Sequence, residues 1–247
     1  MSRAWLLALA ACGRVGFDAA PRGHADAASG DGPDSPDGSA GLLPIHQYSL
    51  NNSYADDYGG PSLGGHGGTF GSDGYDFGPN QGLSVDGALP PAVYTVDLEL
   101  AFVDLSGWRK ILDYEGLTRD SGFYTYDYAL QYVIVPGSDF LTAPVTFTAN
   151  ARTRVTLTRD AAGEVVGYLD GAPAMGARSS SAAPPTTVPA TPFAFADASG
   201  VARLTGTTAT FFIDDTATGG GEAATGSVRR IRIYDVPLTA AQVAAMP

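Results

Sequence analysis

One stretch of this chain restricts its fold more than any other. Over residues 93–103 apolar and polar side chains alternate, with Tyr94, Val96, Leu98, Leu100 and Phe102 on one side and Thr95, Asp97 and Glu99 on the other. A period of two belongs to a strand with one buried face, whereas a helix would scatter those five apolar residues around its axis. Shorter runs of the same kind occupy 108–114, 123–125, 129–135, 145–148, 154–159, 164–169, 209–213 and 228–234, separated by clusters of Gly, Pro, Asn and Asp. Asp160 to Gly163 predicts a tight hairpin turn with a glycine free to take positive φ, and Asp170-Gly171 predicts the next turn. The single helical signal is terminal: Thr239 followed by Gln242 forms a capping box ahead of Val243 and Met246. Residues 42–247 are therefore expected to be all-β, two antiparallel sheets stacked as a sandwich with a short C-terminal helical turn.

A composition that is 44% hydrophobic and 16% charged in 247 residues fits one sizeable globular domain. The net charge of −12, with Lys110 the only lysine, argues against nucleic acid as a partner. No run approaches the roughly 20 apolar residues of a membrane-spanning helix. Residues 18–41 hold almost no large apolar side chain and place Asp26, Asp31, Asp34 and Asp37 among Gly, Pro and Ser, so 12–41 reads as an acidic, hydrated linker.

The first residues follow a different order: Arg3, an apolar run over 4–11, then Leu9-Ala10-Ala11-Cys12. This resembles the bacterial lipobox. The resemblance implies that 1–11 is a lipoprotein signal peptide, that cleavage precedes Cys12 and that Cys12 bears the lipid. Gly13 rather than Asp after the cysteine resembles the sorting pattern of Gram-negative lipoproteins exported to the outer membrane or cell surface. With Cys12 used for lipid no cysteine remains for a disulfide, so the domain must be held by its core.

Two further segments, Val155 to Gly171 and Gly226 to Val243, look like the laminin-G-like jelly rolls of the concanavalin A-like lectin/glucanase superfamily. The first holds Thr-Arg-Asp, a Gly turn and Tyr-x-Asp-Gly; the second holds Arg-Ile-Tyr-Asp and a Leu-Thr-Ala-Ala-Gln-Val ending. The stretch from Tyr48 to Gly60 resembles the opening of such domains. The resemblance implies a jelly-roll fold more strongly than it implies any ligand.

Three site chemistries follow. The superfamily's glucanases carry Glu-x-Asp-x-x-Glu on one strand, and this chain has no such run. Asp97 and Glu99 are expected to be solvated, the histidines have no nucleophile arrangement around them, and the expectation is that the chain is not an enzyme. For a structural Ca²⁺, which many of these jelly rolls hold, Asn51, Asn52, Asp56, Asp57 and Asp235 supply oxygen donors in the first and last strand regions; the same residues are ordinary turn formers, and both readings stay open. For a glycan, Trp108, Tyr124 and Tyr126 offer ring faces, and Asp214, Asp215 and Glu222 lie on a Gly-rich excursion that packing alone does not require. The expectation is a lipid-anchored extracytoplasmic module that recognises glycan. The alternative is a structural or adhesion lipoprotein that binds other proteins without a sugar site.

Overall fold

The computed structural model describes residues 42–133, 141–142, 146–175, 177–178, 195–197, 200 and 202–247. The signal segment, Cys12 and the linker lie outside them, as do positions 134–135 and 145 of two expected strands. In chain order the strands are β1 His46–Tyr48, β2 Gly64–His66, β3 Thr69–Gly71, β4 Gly74–Phe77, β5 Gly82–Asp86, β6 Tyr94–Phe102, β7 Trp108–Asp113, β8 Gly122–Tyr126 and β9 Ala129–Val133. They continue with β10 Leu141–Thr142, β11 Thr153–Arg159, β12 Glu164–Leu169, β13 Ala172–Pro173, β14 Ala177–Arg178, β15 Phe195–Ala196, β16 Thr208–Phe211 and β17 Gly226–Tyr234, before the helix α1 Ala240–Ala245.

All pairings are antiparallel. One sheet runs β13-β12-β11-β6-β17-β4-β3, with β1 added on β17 and β15 on β12; the other runs β2-β5-β16-β7-β8-β9, and β10 pairs with β14. The inner faces of the two large sheets share one core, in which Leu98, Leu100 and Ile231 of the first sheet join Leu83, Ile111, Phe123 and Phe211 of the second. The alternation over 93–103 is realised in β6, which lies at the centre of its sheet between β11 and β17. The hairpin after β11 closes as the sequence predicts: Glu164 N–H donates to Asp160 Oδ1 at 2.8 Å and Gly163 takes φ +86. Asp170 and Gly171, both at positive φ, make the two-residue turn into β13.

The polar side of β6 is not solvated as expected. Asp97 is fully buried; Thr156 Oγ1 and the Arg232 guanidinium donate to it at 2.7 to 2.9 Å. Its cover is the C-terminal segment, where Leu238 and Val243 pack with Tyr168 and Tyr234 in a second apolar cluster. Thr239 caps α1 through the capping box with Gln242. No helix among the described residues is long and apolar enough to cross a membrane.

Two strands break their alternation. In β17 the register against β6 shifts between Val228 and Arg230, and in β7 the register against β8 shifts between Lys110 and Leu112. Each bulge inserts one residue and so returns the next apolar residues, Ile231 in one strand and Leu112 in the other, to the core. Both bulges also change what the outer faces present.

Candidate functional site

On the six-stranded sheet Trp108 and Lys110 point away from the core, opposite Tyr126 and Tyr124 of β8. Ile111 is the extra residue of the bulge, so Ile111 and Leu112 both enter the core and Asp113 turns to the same side as Lys110. Without the bulge, residues three apart on a strand would face opposite sides. With it, Lys110 Nζ lies 3.3 Å from Asp113 Oδ2.

The second half of the site arrives from the chain between β16 and β17. Phe212 anchors it in the core, stacked on Phe77 with centroids 4.3 Å apart. Asp214 then braces the excursion from within: its carboxylate accepts from Asp215 N–H, Thr218 Oγ1 and Glu222 N–H at 2.8 to 3.0 Å. Asp215 receives Ala217 and Thr218 N–H on Oδ1 and aims Oδ2 at Lys110 Nζ, 2.5 Å away. Lys110 N–H donates to Glu222 C=O at 3.1 Å, which fixes the far end of the loop along β7. The Gly-rich segment is thus an ordered brace, with Gly219 and Gly220 supplying the positive φ that its tight path requires.

The result is a lysine with no exposed surface held among carboxylates. Its ammonium also lies 4.8 Å from the Tyr124 ring centroid. The Tyr124 hydroxyl is within reach of Asp215 Oδ2 at 3.2 Å and Asp120 Oδ1 at 3.4 Å, and its single proton serves one at a time. Ligand atoms of Asp120, Asp215 and Glu222 all lie within 4.8 Å of one another, the one such convergence of three acid or histidine groups among the described residues. Their environments separate them. Burial raises the Glu222 carboxyl, and the charges of Asp120, Asp214 and Asp215 add to this, to about 7. Asp120 is raised by burial and then by Asp215. Burial also pushes Asp215 up, but the Lys110 hydrogen bond and charge, with the Thr218 and Ala217 N–H groups, outweigh it and hold the carboxyl below its ordinary value. One carboxyl inclined to keep its proton therefore sits beside one that gives it up.

The aromatic part of the face adjoins this network. Trp108 lies 4.5 Å from Tyr126 and 5.6 Å from Tyr124, centroid to centroid. The β8–β9 turn beside it, Asp127-Tyr128, has both residues at positive φ without a glycine, and Asp127 Oδ1 holds Gly107 N–H at 2.8 Å. A tyrosine in the left-handed region is strained, and here the strain sits at the edge of the aromatic cluster. Tyr114 and Tyr132, close to these aromatics along the chain, face the core instead.

The six residues proposed for a ligand gather on one side of the sheet, but only Trp108, Tyr126 and Glu222 are partly exposed there; Tyr124, Asp214 and Asp215 are buried beneath them. Sequence reasoning passed over Lys110, Asp113 and Asp120. The chain's only lysine inside an apolar strand was the available signal; which carboxylates would meet it was not.

The proposed calcium donors are placed differently. Asp56 accepts Gln47 and Tyr58 N–H on one oxygen and Gly60 N–H with His46 Nδ1 on the other, at 2.5 to 3.1 Å. Asp57 accepts from Gln47 Nε2 and Ser49 Oγ. Asn51 and Asp235 are exposed. With two of the carboxylates engaged by protein donors, this set does not fit the six to eight oxygens of Ca²⁺. At Asp215 the Lys110 ammonium already stands where a cation would. The histidines also need a correction: His66 Nε2 does lie 2.8 Å from Ser84 Oγ, although no acid is hydrogen-bonded to its other ring nitrogen among the described contacts.

No family model matches this sequence, and no curated protein does. Solved structures do. A sialidase of Trypanosoma rangeli, in complex with 2,3-difluorosialic acid as a covalent intermediate, superposes with TM-score 0.55 at 13% identity over 81% of this chain and 32% of that one. Domain 4 of AbnA, an extracellular GH43 arabinanase from Geobacillus stearothermophilus in complex with arabinotriose, gives 0.50 at 16% identity over 82% of this chain and 97% of the domain. The receptor binding domain of botulinum neurotoxin type G gives 0.50 at 13% identity, covering 82% and 50%. The chain spans about a third of the length of the sialidases it matches. At such identities the likeness is one of fold, a β-sandwich consistent with the expected jelly roll. It overturns the expectation that the chain is not an enzyme. That expectation rested on a missing run along one strand, whereas the fold is one that a sialidase and an arabinanase carry, and here carboxylates converge from separate elements. The chain is placed in no family; its fold is a β-sandwich like those of the domains just named.

Proposed function

We propose that this protein is an extracytoplasmic module, anchored through lipid on Cys12 to the outer membrane or cell surface, whose outer face on the six-stranded sheet recognises glycan. The observation that carries the reading is that half-buried Trp108 and Tyr126, packed over the enclosed Tyr124, share one face with the partly exposed Asp120 and Glu222, which converge on the buried Asp215. Aromatic faces pack against the C–H faces of sugar rings, and neighbouring carboxylates accept from their hydroxyls. The arabinotriose-bound arabinanase domain of the same fold supports the class of ligand. The test is binding of the full chain to a panel of plant, bacterial and host polysaccharides, run with calcium and with a chelator. Binding to a defined glycan that Trp108→Ala weakens by about tenfold or more supports the reading. Absence of binding in both conditions moves the partner to protein.

A second reading has its own observation. Glu222, raised to about 7, lies beside Asp215, whose carboxyl is held below its ordinary value, with one oxygen of each within 4.8 Å, and glycosidases use such paired carboxyls. Glycoside cleavage would use Glu222 as the acid that protonates the leaving oxygen while water adds to the anomeric carbon, with Asp215, enclosed against Lys110, as the charge that favours the protonated Glu222. Release of reducing ends from a bound glycan, lost in Glu222→Gln and in Asp215→Asn while binding persists, is the expected result; binding without release in the unaltered protein removes this reading.

A further inference from the structure

The outer face of the nine-stranded sheet carries a second constellation, independent of the reading above. Cross-strand register sets Arg154 of β11 and Arg230 of β17 on either side of Glu99 in β6. The bulge in β17 adds a third cation: Arg229 is the inserted residue, so two successive arginines emerge on the same side instead of alternating. Gly74 of β4 is required for this approach, since a Cβ there would meet Val228 C=O at 2.2 Å. A fourth, Arg152, is ion-paired with Asp73 and reaches Ser227 C=O at 3.4 Å.

These four arginines line one cavity of about 900 Å³, and its carboxylates are Glu99, Asp73 and Asp170. The arginines gather there on a chain whose formal charge is −12. The arginines are not equally committed. Arg154 donates both Nη groups to the backbone carbonyls of Val243 and Met246 and so secures the helix that walls the cavity. Arg229 and Arg230 share the single carboxylate of Glu99 at 3.5 and 3.4 Å, and Arg230 Nη2 also donates to Pro247 C=O at 2.9 Å. Arg229 is the less committed: it meets Asp73 only at 4.0 Å, and 59% of its side chain is exposed. Such long, wet pairs contribute little and are readily exchanged for an incoming anion that accepts two parallel N–H groups.

A second cavity of about 650 Å³ adjoins the first, sharing Asp73 and Arg152, and is lined elsewhere by Asp76, Gln81, Asn150 and several glycines. Amides and bare backbone suit hydroxyls rather than charge. The two together form a run with an arginine-rich end and a polar end.

We propose that this run binds an anionic oligosaccharide, with a uronate carboxylate or a sulfate on Arg229 and Arg230 and neutral hydroxyls extending past Arg152 toward Gln81 and Asn150. The test is titration of the full chain at low salt with tetragalacturonate and with a sulfated galactan fragment of equal length, each against its neutral counterpart. Binding of an acidic probe is expected, at least about tenfold weaker for its neutral counterpart and about tenfold weaker in Arg229→Ala, whose exposed side chain makes a folding defect improbable as the cause. Trp108→Ala is expected to leave it unchanged, which separates this site from the aromatic face. Binding of neither acidic probe, equal binding of the neutral forms, an unaffected Arg229→Ala, or loss in Trp108→Ala each overturns the proposal.

Discussion

The two outer faces of this sandwich solve the placement of charge in opposite ways. On the six-stranded sheet one lysine is enclosed by Asp113 and Asp215 at 3.3 and 2.5 Å, with Asp120 and Glu222 close by. On the nine-stranded sheet the cavity gathers four arginines with Glu99, Asp73 and Asp170, and Arg229 and Arg230 pair there at 3.4 to 4.0 Å. Both faces depend on one inserted residue in a strand. The difference is in desolvation: the enclosed lysine and its partners interact through protein, whereas the arginines interact largely through water. The same device, a bulge, thus builds a rigid network on one side and an exchangeable surface on the other.

That contrast can be broken by experiment. The largest expected effect is that of Lys110→Met, which strips Asp113 and Asp215 of their counter-charge and should cost about 3–5 kcal/mol in urea unfolding. A loss under about 1 kcal/mol would mean that the network is hydrated and the contrast false.

Next is a pH effect. Between the ordinary 4.5 of a glutamate and about 7, folded Glu222 holds a proton that the unfolded chain has released. Its contribution is therefore complete below about pH 4.5 and is lost as pH rises toward 7, the opposite of Asp215, whose lowered value contributes stability that disappears on acidification. Glu222→Gln should gain on the unaltered protein by on the order of 2 kcal/mol between about pH 5 and 7, a figure discounted for partial exposure. Parallel melting curves for the two proteins across that range would show that the carboxyl is solvated.

The smallest effects belong to the arginine face. Arg229→Ala should alter stability by about 0.5 kcal/mol or less. Raising salt to about 1 M should weaken binding of an acidic probe there while leaving the thermal shift of Lys110→Met nearly unchanged, because screening reaches exposed charges far more than enclosed ones. Equal salt sensitivity on both faces would erase the distinction.

Much of the architecture was legible because local patterns carried it. The alternation of β6, the Asp160–Gly163 turn, the Asp170-Gly171 turn and the capping box of Thr239 are each set by a few neighbouring residues. The Gly-rich strands β2 to β4 were not legible: three or four residues such as Gly64–His66 or Gly74–Phe77 have no period of their own and become strands only because a preformed edge pairs with them. Asp97 shows the same limit on burial. Its strand position predicts a wet face, and only the return of the chain over that face, with Leu238 and Val243, takes it out of water.

By itself, then, the sequence determined a β-sandwich, its main strands and turns, and the aromatic and acidic residues worth suspecting, since these follow from short-range periodicity and residue chemistry. Tertiary structure decided that Lys110 and Asp113 share a face, that Asp120, Asp215 and Glu222 meet across separate elements, and that Arg229 and Arg230 stand side by side. The physical reason is that a bulge shifts every later side chain to the other face. Its position is fixed by what the neighbouring strand and the core will accept, which no local pattern in the strand records.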